Sequence, residues 1–325
     1  MGTTPITSFQ EIQADWESVL QENPQDTLFL TPQWQKVWWD TFGDGHSMVG
    51  FSYPGSGDVT GIASLAKEGD TVSFVGSQDT FDYNDFPIKP GHEQGFYEIL
   101  LKCLEEQDYR TLRLDSLRYD SPTLEHLPDM ARNQGYSVEI EEEDVTSGIE
   151  LPGTWDDYLM VLNKKDRHEL RRKLRRMDAQ TDWKWYSVTD PAQAAERLGE
   201  FISLMRQSRP DKDEFMTPER EGFFHNVTQR MAELGQLQLY FLEMEGKAVA
   251  TSLCFDYSGS RLLYNSGYDP EYGYYSVGLL LNAMCLKDAI DQGLTYFDFL
   301  RGPEPYKAHL GGEQRNLYKM VVKKN

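Results

Sequence analysis

The chain has 325 residues, 39% of them apolar, and a formal charge of −21 from 53 acidic against 32 Lys and Arg side chains. That length exceeds what one core usually holds and predicts two domains of about 150 residues each. No run approaches eighteen apolar residues and the amino terminus lacks the basic and apolar regions of a signal peptide, so a soluble, cytoplasmic protein is expected. Three well-separated cysteines, Cys103, Cys254 and Cys285, exclude a disulfide framework and metal-ligand spacing.

The charge is unevenly divided. Residues 1–150 carry 28 acids and 8 bases, whereas residues 151–325 carry 25 acids and 24 bases. This asymmetry places the boundary near residue 150, inside the acidic, turn-rich run from Glu139 to Trp155. Domains of 1–150 and 151–325 are therefore expected, with the anion-binding potential in the second. The acidic total argues against a general nucleic-acid binder.

In chain order, "TPQWQKVWWDTF" predicts a helix capped by Thr31 with Pro32 at its first position and core aromatics at helical spacing. Strand-like runs follow in "SMVGFSY", "VTGIASLA" and "TVSFVG", then a helix in "QGFYEILLKCLEEQ", a strand in "TLRLDSL" and a helix over 121–133. The mixture predicts an α/β or α+β layer domain. The second half opens on "NKKDRHELRRKLRRMD", which holds eight of the 32 basic residues. Leu159, Leu162, Leu170, Leu174 and Met177 form a narrow apolar stripe there, flanked by Lys164, His168, Arg171, Arg172 and Arg175. Like charges three and four apart disfavour the helix by about 0.2–0.5 kcal/mol per pair and invite a compensating anion. The candidates are the phosphates of a bound small molecule, tRNA, an anionic membrane surface or the acidic first domain. Helices over 191–206 and 218–234 come next, then hairpin signals at Glu245-Gly246 and at 258–260. The loop "DPEYGYYS", the helix "VGLLLNAMCLKDAIDQ" and the strand "LTYFDFL" follow.

The loop and helix from Asp269 offer Ser276 as a cap, and Gly273 and Gly278 for close backbone approach. The helix N-terminus offers unpaired N–H groups of the kind that seat a diphosphate. In "YFDFLRGPEPYK", Tyr296, Asp298 and Leu300 share one strand face. An acid among aromatics at a strand end suits a general base, though pairing with Arg301 or capping a turn would serve it equally. Neither a Gly-x-Ser-x-Gly elbow nor a phosphate-binding Walker loop occurs, and Asp82, Tyr83 and Asp85 have no supporting ligand for a metal.

Order and motifs together resemble the GNAT acetyltransferases, and "LNKKDRHELRRKLRRM", "YNSGYDPEYGYYSVGLLL", "FDFLRGPEPYK", "FLTPQWQKVWW" and "DYNDF" resemble their FemAB/CelD-like branch. The resemblance implies an α/β (α+β) fold of tandem GNAT-like domains, each a mixed, mostly antiparallel sheet flanked by helices, the second better formed for binding. It implies an N-acyltransferase with acetyl-CoA or another acyl-CoA as cosubstrate, an amine acceptor and no metal. Gly273, Tyr274, Tyr275, Ser276, Val277 and Gly278 would seat the diphosphate, and Asn265 to Gly267 would supply oxyanion N–H groups. Asp298, Tyr306 and Lys307 fall in the catalytic neighbourhood, and Asp82, Tyr83 and Asp85 would help shape an acceptor cleft between the domains. The alternatives are a Fem-type aminoacyl-tRNA-dependent transferase and a non-catalytic binding protein that retains the fold.

Overall fold

Four helices begin on the same local signal, a short polar residue followed by proline. Thr31, Ser121, Asp190 and Thr217 each accept a backbone N–H of the first turn, and Pro32, Pro122, Pro191 and Pro218 occupy the position where no N–H is needed. The computed structural model describes residues 2–54, 57–77, 79–106, 109–180 and 182–324. It divides into one unit of residues up to 145 together with those from 315 onward, and a second unit of residues 146–314.

The first unit contains β1 Thr4–Pro5, α1 Gln13–Glu22, α2 Pro32–Phe42, β2 Ser47–Met48, β3 Phe51–Tyr53, β4 Gly61–Ala63, β5 Leu65–Glu68, β6 Thr71–Phe74, α3 Glu93–Glu105, β7 Thr111–Arg118, α4 Pro122–Asn133 and the first part of β8 Ser137–Glu150. Strands β2, β5, β6 and β7 are consecutive neighbours, and only β6 and β7 run parallel. Phe74, Phe86, Phe96, Tyr97, Leu100 and Leu112 fill the core between sheet and helices.

The second unit takes the rest of β8, then α5 Trp155–Val161, α6 Lys164–Asp178, β9 Trp183–Val188, α7 Pro191–Ser208, α8 Pro210–Phe215, α9 Pro218–Glu233, β10 Leu237–Met244, β11 Lys247–Tyr257, β12 Ser260–Tyr268, α10 Val277–Asp291, β13 Tyr296–Arg301 and α11 Pro305–His309. The last strand, β14 Glu313–Lys323, pairs with β7 of the first unit's sheet.

In the second unit β9 to β12 form an antiparallel run, β13 lies parallel to β12, and β8 pairs antiparallel with β13. Alternation along β10 sorts the layers. Tyr240 and Leu242 join the core made with α5, α6 and α10, while Phe241 between them lies 4.2 Å under the Arg197 guanidinium of α7. Arg261 is wholly buried. It reaches Asp256 and Asp288 at 2.7 Å each and sits over the Tyr240 ring; full pairing is what makes such burial tolerable.

Two local expectations change. The acidic run after Glu139 is mostly strand rather than turn, because Lys319 and Lys323 of β14 pair with Glu141 and Glu139 at 3.0 and 3.2 Å. The apolar stripe from Leu159 to Met177 is not one helix, since the chain breaks at Leu162 and restarts where Asn163 accepts Asp166 N at 3.0 Å. Among the described residues no helix is long and apolar enough to cross a membrane, and no group of three His, Cys, Asp or Glu could hold a metal.

Gly267 marks a close approach of backbone to backbone in this unit. A Cβ there would lie 2.3 Å from Met205 N and 2.5 Å from the Leu204 carbonyl carbon of α7. Gly267→Ala is therefore expected to lower stability by about 2–3 kcal/mol in urea unfolding, the upper end of overpacking costs, because backbone rather than a pliable side chain must move.

Candidate active site

The site begins where two parallel strands separate. β12 and β13 pair only at Ser260 with Tyr296, Arg261 with Phe297 and Leu262 with Asp298, after which β12 runs on to Tyr268 without β13. A register shift follows Asp298 in the β13–β8 pairing, and Leu300 takes a left-handed φ of 58°. Asp298 is buried and its Oδ1 accepts Leu300 N at 2.8 Å, so the carboxylate shapes this bend. Lys307, from α11, is 3% exposed, and its Nζ donates to the carbonyls of Leu300 at 2.9 Å, Arg301 at 2.5 Å and Gly302 at 3.1 Å and pairs with Glu304 at 3.0 Å. These acceptors use all of its donors. Lys307, which the resemblance placed in the catalytic neighbourhood, gathers the carbonyls at the end of β13. Tyr306 packs edge-on to Phe299 at 6.3 Å, and burial pushes its phenol well up.

On the β12 side stands a residue that sequence reasoning missed. Lys212 Nζ, from α8, donates to Asn265 Oδ1 at 3.0 Å and to Ser266 O at 2.5 Å. Burial and the charge of Arg209 lower its pKa to about 8. Nothing in a six-residue helix rich in charge announces this. The expected N–H donors differ too. Ser266 N is held by Asn265 Oδ1 at 2.8 Å, and Gly267 is filled against α7. With two donors aimed at Oδ1, the Asn265 amide orientation is set, and its Nδ2 has no partner among the described residues.

Beyond Tyr268 the chain turns through a 3-10 segment, Pro270–Tyr275, into α10. Gly273 and Tyr274 are exposed, and the Tyr275 hydroxyl donates to Gln180 at 3.3 Å. Ser276 occupies the cap position but in the left-handed region, φ 58° and ψ 41°, and does not cap with its side chain. Its hydroxyl instead accepts Lys173 Nζ at 2.6 Å. The amides of Val277, Gly278 and Leu279, at the first turn of α10, have no hydrogen-bond acceptor among the described residues. Gly278 packs on the Tyr268 ring, which ties this helix end to the end of β12.

Helix α6 lies along that loop. Arg176 donates to Tyr274 O and stacks over its ring at 4.5 Å. Glu169 binds Arg172 at 2.6 Å and Lys173 at 3.5 Å, and Arg172 first among these holds its carboxyl near 2. Arg171 and Arg175 are exposed and have no side-chain partner among the described residues. A cleft of about 580 Å³ opens beside this helix, and His168, Arg172, Lys173 and Leu279 are among the residues that line it. Across from α6, His309 enters the lining with Nδ1 3.0 Å from Asp166 Oδ1, a pairing the sequence did not suggest.

The remaining three predicted residues lie in the first unit. Arg118 sits over the Tyr83 ring at 5.6 Å, Asp82 is half-buried, and Asp85 is buried with its Oδ1 accepting Phe86 N at 2.8 Å and the Thr123 hydroxyl. Burial lifts the Asp85 carboxyl to about 6 against those hydrogen bonds.

Residues 164–308, which include all of α6, α10 and β13, match the family model of the acetyltransferase (GNAT) domain. No curated protein matches the chain at a significant level. Among solved structures, FemX superposes with a TM-score of 0.68 at 12% identity, covering 98% of this chain and 97% of that one. A tandem GNAT protein from the clavulanic acid biosynthesis pathway gives 0.57 at 12% identity, covering 99% and 98%. The C-terminal domain of a putative lysylphosphatidylglycerol synthetase from Agrobacterium fabrum gives 0.60 at 10% identity, covering 98% and 93%. The fold is thus mixed α/β and GNAT-like, with a tandem GNAT protein among its neighbours.

Asp85 generates a pH prediction. Its folded pKa, about 6, lies above the unfolded value near 4, so its contribution to stability is intact below about pH 4 and is lost as pH rises through about 6. Urea unfolding of wild type and Asp85→Asn is expected to show the wild-type advantage shrinking by about 2–3 kcal/mol over that window.

Proposed function

We propose that the chain is an N-acyltransferase that moves an acyl group from an acyl-CoA, acetyl-CoA foremost, to an amine acceptor. The observation that carries this reading is the separation of β12 from β13 beyond Leu262 and Asp298, next to a helix end with three unpaired amides. An opened parallel pair admits an extended thioester arm among backbone groups that have left the ladder, and the α10 N-terminus suits the diphosphate at the far end of that arm. The acetyltransferase-domain match over 164–308 supports the same chemistry.

Lys173, fixed on Ser276 beside the unpaired amides, adds positive charge to the diphosphate seat. Two groups border the strand opening as proton acceptors, Asp298 and Lys212. One Asp298 oxygen is engaged by Leu300 N, and we assign the transfer to Lys212 in its neutral form. The acceptor nitrogen attacks the thioester carbon and gives its proton to Lys212 Nζ. The free Asn265 Nδ2 donates to the oxyanion, and collapse breaks the C–S bond as Lys212 returns the proton to the CoA sulfur. Lys307 acts at one remove by holding the bent end of β13.

The second reading, an aminoacyl-tRNA donor, is favoured by the exposed cations Arg171 and Arg175 on α6. Calorimetry separates the two. Acetyl-CoA is expected to bind, and absence of heat with every acyl-CoA, together with a salt-dependent association with tRNA, would turn the assignment to the second. In turnover assays the rate is expected to rise with pH and level off above about 8, where Lys212 loses its proton. Lys212→Gln is expected to reduce turnover by about 10²–10⁴-fold and to remove that limb, whereas a purely structural lysine would leave the profile's shape intact.

A further inference from the structure

The cleft beside α6 adjoins the helix end assigned above to the diphosphate, because Lys173 and Leu279 belong to both. Its other lining is of two kinds. Leu170, Leu279 and Leu310 provide apolar surface, while Lys165, His168 and Arg172 stand three and four residues apart on one face of α6. Arg172 is answered by Glu169, and His309 across the cleft by Asp166. Lys165 and His168 have no side-chain partner among the described residues. The cleft thus offers apolar walls, room for a small ligand at about 580 Å³ and two unanswered basic groups at one end.

Resting on the acyl-CoA reading, we infer that this cleft takes the 3′-phosphoadenosine end of the cosubstrate, with Lys165 and His168 binding the 3′-phosphate and the leucines covering the adenine. The chemistry of the ligand requires such a neighbour. The 3′-phosphate hangs from the same ribose whose 5′ carbon carries the diphosphate, so a diphosphate on the α10 amides brings it within a few ångströms of the cleft. A purine needs apolar faces and little else, whereas the phosphate dianion needs charge that no protein group has already taken. Lys165 and His168 meet that condition; Arg171 and Arg175 do not line the cleft and have no part in it. The basic segment therefore distinguishes CoA from its 3′-dephospho form and from other diphosphate nucleotides.

The test compares acetyl-CoA with 3′-dephospho-acetyl-CoA by calorimetry on the full chain, in wild type and in the K165A/H168A double variant. Both residues are exposed on α6, and circular dichroism confirms that the variant is folded. Wild type is expected to bind the 3′-phosphorylated form at least about 10-fold more tightly, and the ratio is expected to fall towards one in the double variant; tenfold corresponds to about 1.4 kcal/mol, within the reach of one charge-assisted phosphate contact. Equal affinities in wild type, or a preference that survives in the double variant, would overturn this inference and leave the acyl-CoA assignment standing. Failure of both thioesters to bind would overturn the two together.

Discussion

Backbone groups at the divergence of β12 from β13 must find partners that a neighbouring strand no longer supplies, and two lysines supply them. Lys307 draws in the carbonyls of residues 300, 301 and 302, and Lys212 takes the carbonyl of Ser266. Unpaired buried carbonyls cost about 1–3 kcal/mol each. The separation is stable because ammonium donors replace ladder hydrogen bonds, and the proposed route for a thioester exists because of it. The two lysines differ in consequence. Lys307 has its donors fully occupied and a carboxylate beside it, whereas Lys212 is depressed by burial and by Arg209 towards the range where a lysine exchanges protons near neutrality.

Helix α6 shows how a segment with eight basic residues folds at all. It starts from a strong cap at Asn163 and anchors through Leu170 and Met177. Part of its charge is neutralised by Glu169 and part is directed across to the loop before α10, where Lys173 and Arg176 hold Ser276 and Tyr274. That loop contains a serine in the left-handed region, a conformation that costs roughly 1–2 kcal/mol for a residue with a Cβ. The lysine contact to its hydroxyl offsets part of the cost and fixes the direction in which the first amides of α10 point. What charge remains after these duties is divided between the cleft, lined by Lys165, His168 and Arg172, and the exposed Arg171 and Arg175 outside it.

Much of the fold could be read from local rules. The four polar-residue-plus-proline starts, the helical spacing of the buried side chains in α2, α7 and α9, and the Glu245-Gly246 turn are decided by neighbours a few residues away. The basic helix and the loop ahead of α10 were legible for the same reason. Strand β8 was not, because the feature that makes an acidic run extended is a lysine-bearing strand more than 170 residues later, and the short helices α8 and α11 were not, because their periodicity is too brief to register.

By itself the sequence determined the mixed α/β class, the concentration of cations in one segment and the presence of a helix N-terminus free to meet an anion, since each follows from residue type and spacing along the chain. Tertiary structure decided which groups are available for chemistry. Lys212 and Asn265 are 53 positions apart, and Asp166 and His309 are 143 apart; Gly267 serves a helix that crosses it, and Lys307 is occupied by carbonyls that only a bent strand presents. The physical reason is that a charge's pKa and the freedom of a donor depend on burial and on partners, and both are properties of what lies nearby in space, which spacing along a chain does not contain.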